Sequence, residues 1–113
     1  VREQFGIEVV QDAAVDPLAD MDMFFAQVAA MDLVLSTSNT TAHVAGAQNI
    51  PVWVLLPHGS KGLIWYWFLR RDDSPWYPAA RLIRADHKLE EGQARWLDLT
   101  ERTAADLSRW AGA

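Results

Sequence analysis

The sequence predicts a single α/β domain with helices on both sides of a parallel sheet, and three observations predict it. Two runs, residues 33–36 and 52–56, are almost continuously apolar, the pattern of strands buried on both faces. Stretches of helical period, residues 21–31 and 40–48, alternate with them. The connections are short, and short alternating units join parallel strands through right-handed crossovers, giving three layers. With 113 residues, half of them hydrophobic, the chain can fill one core but not two ordinary domains.

Each element has its own reason. Ile7-Glu8-Val9-Val10 reads as a short first strand, followed by a loop over 11–16. Asp20 is placed to cap a helix whose apolar residues Met21, Phe24, Phe25, Val28, Ala29 and Met31 recur at helical spacing. Asp32 ends that helix, and Leu33-Val34-Leu35-Ser36 forms the next strand. A second helix is expected from Thr40 to Gln48, kept slim by Ala42, Ala45, Gly46 and Ala47. Asn49 suits the left-handed residue after it, and Pro51 forbids its continuation. Val52-Trp53-Val54-Leu55-Leu56 runs until Pro57, with Trp53 in the core. The 57–79 stretch breaks the rhythm, and irregular connections of that length usually serve a site. Arg81-Leu82-Ile83-Arg84 predicts one more strand, and residues 99–110 a closing helix with Leu99, Ala104, Leu107 and Trp110 inward.

Composition removes several function classes. A net charge of −5 without a Lys/Arg run argues against nucleic acid as a partner. No apolar stretch is long enough to cross a bilayer and no signal peptide opens the chain, which predicts a cytoplasmic protein. The absence of cysteine removes disulfides, thiolate catalysis and thiolate metal sites. The chain opens at Val1 already in mid-pattern, as expected of a piece of a longer protein, and unmatched apolar surface on such a piece allows it to self-associate as a homo-oligomer.

Ligands of open α/β sheets bind beyond the carboxyl ends of the strands, and two such ends are identifiable. After the 33–36 strand, Ser38 or Asn39 caps the helix, and Thr40 and Thr41 offer backbone amides and hydroxyls. His43 shares a face with Asn39 and Thr40 in the first turn. A helix start of this kind holds phosphate oxygens. The competing reading is that these residues only cap the helix while His43 bonds a neighbouring group. After the 52–56 strand, Gly59 and Gly62 permit close backbone approach and Lys61 supplies a charge for a diphosphate, although an ordinary solvated turn reads the same way. Trp65, Trp76 and Tyr77 offer flat surfaces for stacking a base or sugar ring if the long loop folds back, against the alternative of a satellite core. Asp20-Met21-Asp22 resembles an acidic metal-holding pattern, but acids in a first helical turn complement the dipole without any metal. No catalytic group is identified.

Three segments together, Ser36-Thr37-Ser38-Asn39-Thr40-Thr41-Ala42-His43-Val44-Ala45-Gly46-Ala47, Ile50-Pro51-Val52-Trp53-Val54-Leu55-Leu56-Pro57 and Ser74-Pro75-Trp76-Tyr77-Pro78, resemble the C-terminal lobe of heptosyltransferase-like glycosyltransferases. The closest likeness is to the form found at the end of bacterial tetratricopeptide-repeat proteins. The resemblance spans about residues 21–84 and implies a Rossmann-like lobe of a GT-B enzyme. The cleft of such an enzyme holds a nucleotide-diphosphate sugar for hexosyl or heptosyl transfer. It implies that the turn before the helix and His43 contact the donor, that no metal or other cofactor is required, and that the general base lies on an N-terminal acceptor lobe outside this chain. The isolated lobe is then expected not to catalyse transfer. The chain departs from the family pattern at Ser38, where typical members carry aspartate. A non-catalytic scaffold or protein-interaction module of the same fold is the alternative.

Overall fold

A computed structural model of the chain describes residues 2–57, 64–90 and 92–112. Three strands, β1 (Val34–Thr37), β2 (Val52–Leu56) and β3 (Ala80–Arg84), form a parallel sheet in the order β1-β2-β3. The register sets Val34 against Val52 and Val52 against Ala80. Helix α1 (Arg2–Phe5) is a single exposed turn. The others are α2 (Met21–Ala29), α3 (Thr40–Ala47) and α4 (Gln93–Trp110), and a 3-10 turn covers Trp65–Trp67.

The two-residue period of the strands splits the core into two layers, one on each face of the sheet. Val52, Val54 and Leu56 of β2 and Ala80 and Leu82 of β3 pack with Val28 of α2 and Ala42, Val44 and Ala45 of α3. On the opposite face Trp53 and Ile83 meet Leu99, with Leu55 and Leu107 at the margin. Helices therefore cover both faces, and the mixed α/β class with a parallel sheet is as the apolar runs predict.

Local signals explain the element ends. Asp20 caps α2, its carboxylate accepting from the Met23 amide at 3.1 Å. Asn49 takes a left-handed φ of 57° after α3. There the Ile50 amide donates to Ala45 O at 3.0 Å and the Asn49 amide to Gly46 O at 3.1 Å. This Schellman geometry satisfies the last carbonyls of the helix before Pro51.

Three expectations need correction. Residues 7–10 form no strand: they are exposed chain without regular structure, with Val9 71% and Val10 84% exposed, because among the described residues no edge pairs with them and no layer covers them. This uncovered start fits a radius of gyration of 15.1 Å, above the roughly 13 Å of a compact domain this long. The closing helix begins at Gln93 rather than near residue 99, because its first inward position is an arginine. Arg95 is buried, its Nε donating to Leu89 O at 2.8 Å, so no apolar period announces that turn. Farther along, Thr103 rather than Ala104 faces the sheet, its hydroxyl donating to Leu99 O at 2.7 Å, and Trp110 remains half exposed.

Helix α4 is tied to β3 by charge as well as by Leu99. Asp106 accepts from Arg81 and Arg109, and the hydrogen bond from Arg81, followed by the charges of both guanidinium groups, holds its carboxyl below the ordinary range. A carboxylate depressed in the folded state adds stability that is complete above the ordinary carboxylate range and lost as pH falls through the folded value. Asp106→Asn is accordingly expected to flatten the acid limb of a stability-versus-pH curve, measured by thermal unfolding between neutral and acidic pH.

Candidate functional site

The segment of residues 64–79, before β3, folds back over the carboxyl end of the sheet and meets the start of α3. Two long-range hydrogen bonds fasten it. The Trp67 indole N–H donates to Ser38 Oγ at 2.8 Å, across 29 residues of sequence, and the Tyr77 hydroxyl shares a 2.9 Å hydrogen bond with His43 Nδ1, across 34. Arg84, at the end of β3, clamps the same connection by donating to Trp67 O at 2.5 Å and to Arg71 O at 3.2 Å. Burial draws the Arg84 guanidinium below its ordinary range, while the charge of Asp72 opposes that shift.

His43 sits among three rings. It stacks on Trp67 at 5.3 Å and 16° between planes, and meets Tyr66 and Tyr77 edge-on at 5.1 and 5.7 Å. Trp67 is 1% exposed. The ring of Tyr77 reaches His43 only because α3 carries glycine beneath it: a Cβ at Gly46 would come within 2.8 Å of three Tyr77 ring atoms. The small residues that keep α3 slim thus have a specific task at Gly46, which seats an aromatic ring from the far side of β2. Ser74 holds the approach to that ring, its buried Oγ accepting from the amides of Trp76 and Tyr77 at 3.2 and 3.3 Å.

In the turn before α3, Asn39 is the cap. Its Oδ1 accepts from the Ala42 amide at 3.4 Å and from Ser36 Oγ at 2.9 Å, and its Nδ2 donates to Thr37 Oγ1 at 3.4 Å. Asn39→Ala is expected to cost about 1 kcal/mol, read by chemical denaturation, since one orphan amide and the turn's side-chain bonds lose their partner. The amides of Thr40 and Thr41, the first two of the helix, have no partner among the described residues, and Thr40 is exposed while Thr41 is half-buried. The corner at Asn39 and Thr40 is open to solvent; the one at His43 is largely walled by rings.

Ser38, Asn39, Thr40, Thr41 and His43 are therefore together at one helix start. Tyr77 joins them as the partner of His43 and seals its ring from one side, which limits it as a stacking platform. Trp65 and Trp76 are 72% and 54% exposed and meet edge-on at 6.5 Å. They connect to His43 through Tyr66, which is 5.4 Å from Trp65. Trp76 is steadied by donating its indole N–H to Tyr66 O at 3.1 Å. Gly59 and Lys61 lie outside the described residues. Asp20 is occupied as a cap, and no group of three or more potential metal ligands exists among the described residues. No helix of the described residues is long and apolar enough to cross a membrane.

Two residues central to the site carried little sequence signal of their own. Trp67 sits within an aromatic run in which nothing distinguishes the buried ring from the exposed ones. Arg84 lies in a strand with one other arginine, Arg81, and its bonds go to backbone carbonyls.

No protein-family model matches the chain, and no solved structure matches it. Protein FlbA of Caulobacter vibrioides is 36% identical over 112 residues, a similarity that runs through 99% of this chain. The chain spans 17% of the length of that curated relative.

Proposed function

We propose that this chain is the nucleotide-diphosphate-sugar-binding lobe of a metal-independent, GT-B type glycosyltransferase related to the heptosyltransferases. The observation that carries this reading is the pair of amides at Thr40 and Thr41, without a partner among the described residues, on an open corner beyond the carboxyl end of a parallel sheet. Such amides, with the positive end of the helix dipole, attract diphosphate oxygens. The hydroxyl of exposed Thr40 extends the same polar corner. Exposed Trp65 and Trp76, one ring beyond Tyr66, supply flat surface for a base or sugar ring.

The chemistry follows from the position of the charge. When the bond between the sugar's anomeric carbon and the diphosphate oxygen breaks, negative charge grows on the departing diphosphate. Preorganised donors aimed at such a charge are worth about 2 to 4 kcal/mol each in comparable oxyanion sites. The lobe's share of the reaction is to bind the donor and stabilise that leaving group. Activation of the acceptor belongs to a second lobe, and FlbA, several times longer than this chain, is a relative with room for one. The serine at position 38, where the family pattern has aspartate, still accepts the Trp67 indole N–H without contributing negative charge beside the phosphate corner.

Thr40→Pro tests the amide directly. Thr40 is the first helical residue after an extended Asn39, where proline fits, so the substitution deletes the N–H while keeping the helix. Calorimetric titration with a panel of nucleoside diphosphates and their sugars is expected to show saturable binding that Thr40→Pro weakens about tenfold or more. Unchanged affinity, or no binding by the unaltered chain, overturns the reading. The enclosure of His43 by Tyr66, Trp67 and Tyr77 favours a scaffold as the second reading, since that packing stands without any ligand. In a scaffold, Thr40→Pro would leave partner association intact and no nucleotide would bind.

A further inference from the structure

At β3, the outer strand of the sheet, β3 and α4 border a cleft of about 430 Å³. Four guanidinium groups line it, Arg81 and Arg84 from β3 and Arg102 and Arg109 from α4, against two carboxylates, Asp72 and Asp106. An excess of positive charge stands out on a chain whose net charge is −5. Asp106 is shared, accepting from Arg81 on one oxygen and Arg109 on the other. Arg102 donates to Asp98 at 2.9 Å and to Arg84 O at 2.7 Å, and Arg84 gives its hydrogen bonds to the carbonyls of Trp67 and Arg71. A guanidinium has five N–H donors, so Arg81 and Arg109, each making one hydrogen bond among the described residues, retain most of their capacity.

We propose that this cleft binds a small phosphate-bearing anion, a phosphomonoester or diphosphate group held between Arg81, Arg102 and Arg109. The forked guanidinium matches two phosphate oxygens at once, which an ammonium does not. The cleft's size suits a ligand of sugar-phosphate or pyrophosphate dimensions. Asp106 fixes the two guanidinium groups that flank it, and the guanidinium of Arg81 lies over the Trp53 ring at 4.9 Å, so the donors are oriented before a ligand arrives. This site is distinct from the α3 corner: Ser38, Asn39, Thr40, Thr41 and His43 do not line it, and it does not depend on the donor reading.

The test is a residue-resolved NMR titration of the chain with inorganic pyrophosphate at low and moderate salt. Saturable shifts are expected at residues 81–84 and 102–109, weakening as salt rises. Arg109→Gln and Arg81→Gln, each of which removes one guanidinium fork, are each expected to lower the affinity about tenfold. Shifts at residues 39–41 report the α3 corner and bear on the proposed function alone. The inference is overturned if β3 and α4 show no saturable shift, or if both substitutions leave the pyrophosphate affinity unchanged.

Discussion

Trp67→Ala is expected to cost the fold about 3–5 kcal/mol, the range for emptying a buried tryptophan site. The ring is 1% exposed, stacks on His43 and belongs to the core layer that α2 and α3 form with the sheet. Its loss also leaves Ser38 Oγ without the indole donor. Since small domains are stable by only about 5–15 kcal/mol, this change consumes much of the margin. Trp67→Phe separates the two contributions: it keeps most of the packing and drops the hydrogen bond, for which about 1 kcal/mol is expected on that account. Guanidinium denaturation measures both variants. A loss below about 1 kcal/mol for the alanine variant would show that the aromatic connection is not part of the core.

Gly46→Ala is expected to destabilise by about 1–3 kcal/mol, the cost of overpacking a filled site. The sign is the informative part, because alanine is the better helix former by about 1 kcal/mol and would stabilise an open helical position. Here the new methyl meets the Tyr77 ring, which must move and give up its 2.9 Å bond to His43. In a Tyr77→Ala background the same glycine substitution should become neutral or stabilising, so a double-mutant cycle should return a coupling between positions 46 and 77. Additive effects would mean that Tyr77 does not rest on α3.

What could be read from the chain follows from how local each cause is. The strand at residues 52–56 lies between Pro51 and Pro57, and α3 runs from the Asn39 cap to the left-handed Asn49, so short-range chemistry marks both elements. The cap of α2 at Asp20 is local in the same way. The apolar residues at 7–10 state a preference for strand, whereas a strand also needs an edge to pair with. The start of α4 was hidden because buried Arg95 interrupts the apolar period.

The candidate site divides along the same line. Ser38, Asn39, Thr40, Thr41 and His43 are neighbours in sequence and could be grouped by helical spacing. Their aromatic surroundings could not: Trp67 reaches Ser38 and Tyr77 reaches His43 across 29 and 34 residues. Only the fold shows that Gly46 and Tyr77 are two halves of one contact, which gives the joint presence of the glycine-containing helix and the Pro-Trp-Tyr-Pro segment a physical reason. It also separates the aromatic residues into those that pack, Tyr66, Trp67 and Tyr77, and those left facing solvent, Trp65 and Trp76.

The most direct measurement is a residue-resolved NMR titration with nucleoside diphosphate sugars, following the backbone amides of Thr40 and Thr41. Donor binding predicts saturable shifts at these two amides, larger with the diphosphate than with the matching nucleoside and absent at residue 40 in Thr40→Pro. Titrations in which every diphosphate leaves both amides unmoved would contradict the account.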